Sequence, residues 1–136
     1  MHNTRVGDSI MEDAQIILSA LWVSLMLTYL LGDVLRIFSG DFKPGEMAGQ
    51  EATQSMWMIA AAVMLIPIAM ISMTLVLPKP IVGWLNIIFS IFLFLFNLAG
   101  VRSYPGLYDR FLIVVGLLFN VVIVWIALAW IMVVPL

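Results

Sequence analysis

"FLIVVGLLFNVVIVWIALAWIMVVPL", residues 111–136, holds no acidic or basic side chain over 26 positions. Three other charge-free runs precede it: 14–32, 52–78 and 80–101, of 19, 27 and 22 residues. An α-helix needs about 20 apolar residues to cross roughly 30 Å of hydrocarbon. Four runs meet that length. They are continuous rather than alternating, which argues against a β-barrel. The sequence therefore predicts an all-α membrane protein, an antiparallel bundle of four transmembrane helices.

Composition supports the same reading. Of the 136 residues, 64% are hydrophobic and 10% charged, with a mean hydropathy of +1.14. A water-soluble domain of this length has too little interior to hide that much apolar surface. A net charge of −2 leaves no basic footprint for nucleic acid. There is no Cys, so thiol redox chemistry and Cys-ligated metal are excluded.

The expected spans are about 14–38, 55–77, 81–100 and 111–132, in a single membrane domain over 1–136. Ser9 and Glu12 have the spacing of a capping box, which would start the first helix near Ile10. One Arg against Asp8, Glu12 and Asp13 is the wrong charge for a signal peptide, so this helix is expected to stay in the mature protein. "SGDFKPGEMAGQEATQ", residues 39–54, reads as a turn-rich polar connector. Ala60, Ala61 and Ala62 favour close helix approach, and Pro67 interrupts the backbone hydrogen bonds of the second span. "LPKP" (77–80) and "VRSYPGLYDR" (101–110) are short connections, hence antiparallel neighbours.

Lys and Arg set the expected orientation. Arg36, Lys43, Arg102 and Arg110 lie on the side of loops 1 and 3; Arg5 and Lys79 lie on the other. Four against two places loops 1 and 3 in the cytoplasm of a multi-pass cell-membrane protein, with both termini outside.

Polar groups within the spans fall on single helical faces. Gln15, Ser19, Trp22, Met26, Tyr29, Asp33 and Arg36 recur at steps of four and three. Gly83, Asn86, Ser90, Leu93, Asn97 and Gly100 form a second stripe. Asp109, Ile113, Gly116, Asn120, Ile123, Ala127 and Trp130 form a third. These stripes are expected to face each other, with Asn86, Ser90 and Asn120 as interhelical polar contacts. Tyr29, Asp33, Arg36, Asn97, Arg102 and Asp109 are expected to gather at the cytoplasmic end as a site for an ion or small solute. The plainer alternative is that Asp33 and Arg36, three residues apart on one helix, neutralise each other and anchor the span.

"LWVSLMLTYLLGDVLRIFSGD", residues 21–41, resembles the first helix of a family of small prokaryotic four-span membrane proteins of unknown function. Leu21-Trp22, Tyr29 and Asp33-Val34 carry the likeness, while Leu31-Gly32 depart from a more aromatic pattern. The resemblance implies the four-helix fold and directs attention to Tyr29 and Asp33; it implies no activity. Small multidrug exporters share the size and span number, but their essential Glu lies within helix 1. Here Glu12 and Asp13 stand at the helix start, where capping accounts for them.

No nucleophile-base pair, phosphate loop or metal-spaced carboxylate set is present, so a non-enzymatic protein without cofactor is expected. Two classes remain open. One is an ion- or solute-binding protein or transporter. The other is a structural or regulatory subunit that docks another membrane protein. Beyond the lipid bilayer, a homodimer is compatible with either.

Overall fold

The computed structural model describes residues 12–47 and 50–132. Its elements are α1 (Asp13–Ser39), β1 (Glu46–Met47), β2 (Gln50–Glu51), α2 (Gln54–Val76), α3 (Lys79–Gly100), a 3-10 turn (Val101–Ser103) and α4 (Leu107–Ile131). Each of the four helices is long and apolar enough to cross a membrane. They pack together as a bundle, which is the expected fold class.

Local chemistry places the helix ends. Glu12 is the cap of α1, with its backbone N–H donating to Gln15 Oε1 at 3.0 Å. The capping box thus pairs Glu12 with Gln15. The expected cap at Ser9 and start at Ile10 lie outside the described residues. At the other end Gly40 takes φ 84°, a left-handed turn that glycine adopts without strain, and the Asp41 N–H reaches Arg36 O at 3.1 Å. Thr53 caps α2 by accepting from the Met56 N–H at 3.2 Å. Pro80 lies in the first turn of α3, where no N–H is needed.

Two expected boundaries shift. α3 starts at Lys79 rather than 81, and α4 starts at Leu107 rather than 111. The charges of Asp109 and Arg110 mark the edge of the apolar run, not the end of the helix. Asp109 in the first turn of α4 is favoured by the helix dipole. The 39–54 connector also holds more order than expected, because β1 and β2 form an antiparallel two-stranded ribbon within it.

The bundle is laid out so that α1 touches α2 and α4, while α4 touches α1 and α3. α2 meets α3 only along a thin seam. α1 and α3 therefore lie across a diagonal, and their side chains meet through the core. Leu18, Trp22, Leu25, Val82, Leu93, Ile123 and Ala127 fill that core. Gly83 sets the closest approach of α3 to α4, since a Cβ there would overlap Ile131 Cγ2. The outward faces carry Leu27, Leu31, Ile88, Leu95, Leu118 and Val121, which suit acyl chains.

Candidate functional site

The three polar stripes do face inward, and they meet as a ladder of side-chain contacts along the bundle. At the end near the chain termini, Gln15 Nε2 donates to Thr74 O at 3.0 Å. That carbonyl lacks its usual partner four residues on, because position 78 is a proline without an N–H. Ser19 Oγ donates to Ile71 O at 2.9 Å. Trp130 Nε1 donates to the Glu12 carboxylate, and Lys79 Nζ stands 5.6 Å above the Trp130 ring.

One layer deeper, the Trp22 indole N–H donates to Asn86 Oδ1 at 2.6 Å. Asn86 Nδ2 donates to Thr74 Oγ1 at 3.2 Å and to Val82 O at 2.8 Å. Near the centre, Ser90 Oγ lies 2.9 Å from both Asn120 Oδ1 and Asn120 O. Asn86, Ser90 and Asn120 are all buried and bridge elements; Asn120 Nδ2 makes no well-formed hydrogen bond among the described residues, although the Tyr29 hydroxyl lies beside it.

At the end that carries the 39–54 connector and the α3–α4 turn, the charged groups converge. Arg36 Nη1 donates to Asp109 Oδ1 at 2.6 Å, and Arg36 Nη2 donates to Asp33 Oδ1. The guanidinium carbon lies 5.0 Å from the centre of the Tyr104 ring, within cation–π range. Asp109 is 1% exposed and its Oδ2 has no hydrogen-bond partner among the described residues, whereas the Asp33 side chain is 46% exposed. The i, i+3 pair of Asp33 and Arg36 does form. It is one half of a three-group arrangement in which a single guanidinium serves two carboxylates.

These groups line a cavity of about 120 Å³ to which all four helices contribute. Tyr29 and Asn97 are among its lining residues, with Asn97 Nδ2 donating to Tyr29 Oη at 3.0 Å and to Leu93 O at 2.8 Å. Val63 and Met64 bring α2 to the wall. Pro67 is four residues beyond Val63, so the Val63 carbonyl lacks its helical N–H partner. The ion pair lies against α1 at Gly32, where an added Cβ would meet Asp109 Oδ1 at 3.6 Å and Arg36 Nη1 at 3.7 Å, ordinary contact distances that do not by themselves require glycine.

Of the six expected site residues, Tyr29, Asp33, Arg36, Asn97 and Asp109 line this cavity. Arg102 does not. It sits exposed on the 3-10 turn that follows α3. Tyr104 takes its place as the contribution of that connection. Sequence reading gave Tyr104, Gly32, Val63 and Met64 no role in the site. A glycine within an apolar span and a proline four residues after Val63 were the available signals.

Residues 9–135 match the model of a family described as "Family of unknown function (DUF6326)". No curated protein and no solved structure matches the chain.

Proposed function

We propose a role drawn from this chain's own cavity, because the chain belongs to the DUF6326 family, whose function is unknown. In this reading the protein is a non-enzymatic membrane protein that binds, and as a transporter would pass on, an ion or small polar solute. The binding place is the cavity between Tyr29, Asp33, Arg36, Asn97 and Asp109. One observation carries the reading: a carboxylate removed from solvent has one oxygen on Arg36 and the other unsatisfied, in the wall of a cavity. An unsatisfied buried carboxylate oxygen is costly to keep unless something else completes it. Orientation with loops 1 and 3 in the cytoplasm would open the site to the cell interior.

Leu93, which is 1% exposed, closes the core behind the cavity, as does Ile123 further along. The test is thermal unfolding of the detergent-purified chain against a panel of inorganic salts and small neutral solutes. At least one should raise the midpoint, and Leu112→Phe, which places a ring at the cavity wall, should abolish the rise. If no member of the panel distinguishes the two proteins, the binding reading fails.

A second reading draws on α2. This helix buries only Pro67, Met70 and Thr74, and leaves Ala61 and Ala62 exposed. That face would serve a regulatory subunit docking another membrane protein or a second copy. Enlarging Ala61 and Ala62 to Leu would then break complex formation, while Asp33→Asn would leave it intact. Under the binding reading the sensitivities reverse.

A further inference from the structure

We infer that the cavity selects a small monovalent cation, of the sodium, potassium or ammonium class, with the Asp109 carboxylate as its charged ligand. This rests on the binding role proposed above and narrows it to one ligand class.

The first argument is charge. The side chains lining the cavity include one guanidinium, Arg36, and two carboxylates, Asp33 and Asp109. With all three ionised the site carries one uncompensated negative charge. Arg36 is already committed, since its two terminal nitrogens each hold a carboxylate. An entering anion would meet an excess of negative charge and find no free cation. A divalent metal would overshoot the balance and lie beside the guanidinium that shares Asp109. One positive charge brings the site to neutrality, and partial exclusion from water makes that balance count for more than it would in solvent.

The second argument is the set of donors. Asp109 Oδ2 has no partner among the described residues and is closed off from water, so the carboxylate must turn slightly for an ion to touch it. The Asn97 amide spends its Nδ2 on Tyr29 and Leu93, which leaves its carbonyl oxygen uncommitted. Tyr29 Oη accepts from Asn97 Nδ2 and lies beside the Asn120 amide, so it frames the site more than it supplies a free donor. Val63 C=O is freed by Pro67. A carboxylate and neutral oxygen-bearing residues lining one cavity are hard-cation ligand types of low total charge.

The third argument is size. About 120 Å³ holds an ion with part of its hydration shell, given roughly 30 Å³ for each water in the liquid.

The experiment is a thermal unfolding titration of the full chain in detergent, at fixed pH and ionic strength. Sodium, potassium or ammonium chloride replaces N-methyl-D-glucamine chloride stepwise. At least one small cation should raise the midpoint saturably, by on the order of 3 °C once in large excess. Asp109→Asn should remove the effect. Should that variant fail to fold, Leu112→Phe keeps all three charges and should remove it as well. A cation effect that persists in Leu112→Phe marks binding elsewhere and overturns the assignment. If acetate or a neutral solute stabilises the wild type but not Leu112→Phe, while cations are inert, the cavity binds but cation selection is wrong. Sensitivity to pH without any difference among cations makes the ligand a proton and also overturns the proposal. If nothing shifts the midpoint, the binding role falls with it.

Discussion

Asn86 is held by three hydrogen bonds, to Trp22, Thr74 and Val82, so one amide ties α1, α2 and α3 together. Asn120 receives Ser90 Oγ on its side-chain oxygen, but that hydroxyl also reaches the backbone carbonyl of the same residue. The two asparagines look alike in the sequence and differ in what they support. Asn86→Leu strands the buried Trp22 N–H and should cost about 1–3 kcal/mol. Asn120→Leu removes an amide whose Nδ2 makes no well-formed hydrogen bond among the described residues and leaves Ser90 a carbonyl acceptor, so it should cost less than about 1 kcal/mol. Thermal unfolding of both variants in one detergent checks the ordering; equal losses would contradict it. The inward position of both residues was legible from the helical spacing. Their partners were not, because Trp22 meets Asn86 across 64 positions of chain.

At the scale of elements, the closest packing is between α3 and α4 at Gly83. Adding a methyl there drives into Ile131, so Gly83→Ala should destabilise the bundle by about 1–3 kcal/mol. Gly83→Ala combined with Ile131→Ala should recover part of that loss, because the clash is with a side chain and not with backbone. A double-mutant cycle on unfolding midpoints measures the coupling, and simple additivity would rule out this contact. Gly100→Ala is the control, since nothing lies within 4 Å of its added Cβ. It should be neutral or slightly stabilising. Helix count was readable from the charge-free runs, whereas helix ends were less so. α4 extends four residues below the expected start, because hydropathy reports the edge of the lipid and capping reports the end of the helix. The ribbon of β1 and β2 escaped notice since two-residue strands have no periodicity to detect.

For the molecule as a whole, the uneven packing of α2 matters most. It lies against α1, meets α3 along a thin seam, and brings Val63, whose carbonyl is freed by Pro67, to the lining of the cavity. Orientation is the property that labelling decides most directly. The chain has no Cys, so single substitutions report without background. In inverted and right-side-out vesicles, an impermeant thiol reagent should reach Lys43→Cys and Ser103→Cys from the cytoplasmic face. It should reach Lys79→Cys from the opposite face. Labelling of positions 43 and 103 from opposite faces would contradict the antiparallel bundle, and labelling of both from outside would reverse its orientation.

Four apolar crossings and three inward polar stripes were determined by the sequence alone. Both follow from local physics: the length of a charge-free run against the thickness of hydrocarbon, and the 3.6-residue period that sorts side chains onto faces. The tertiary structure alone decided that Arg36 serves Asp109 as well as Asp33, that Tyr104 and not Arg102 completes the charged end, and that α2 is the loosely held helix. Those outcomes depend on the register between α1 and α4, whose paired residues Arg36 and Asp109 stand 73 positions apart. No local pattern encodes such a register, because it is set by how α4 packs on α1 at Gly116, where an added Cβ would stand 3.3 Å from the Tyr29 ring, together with the side chains of the shared core.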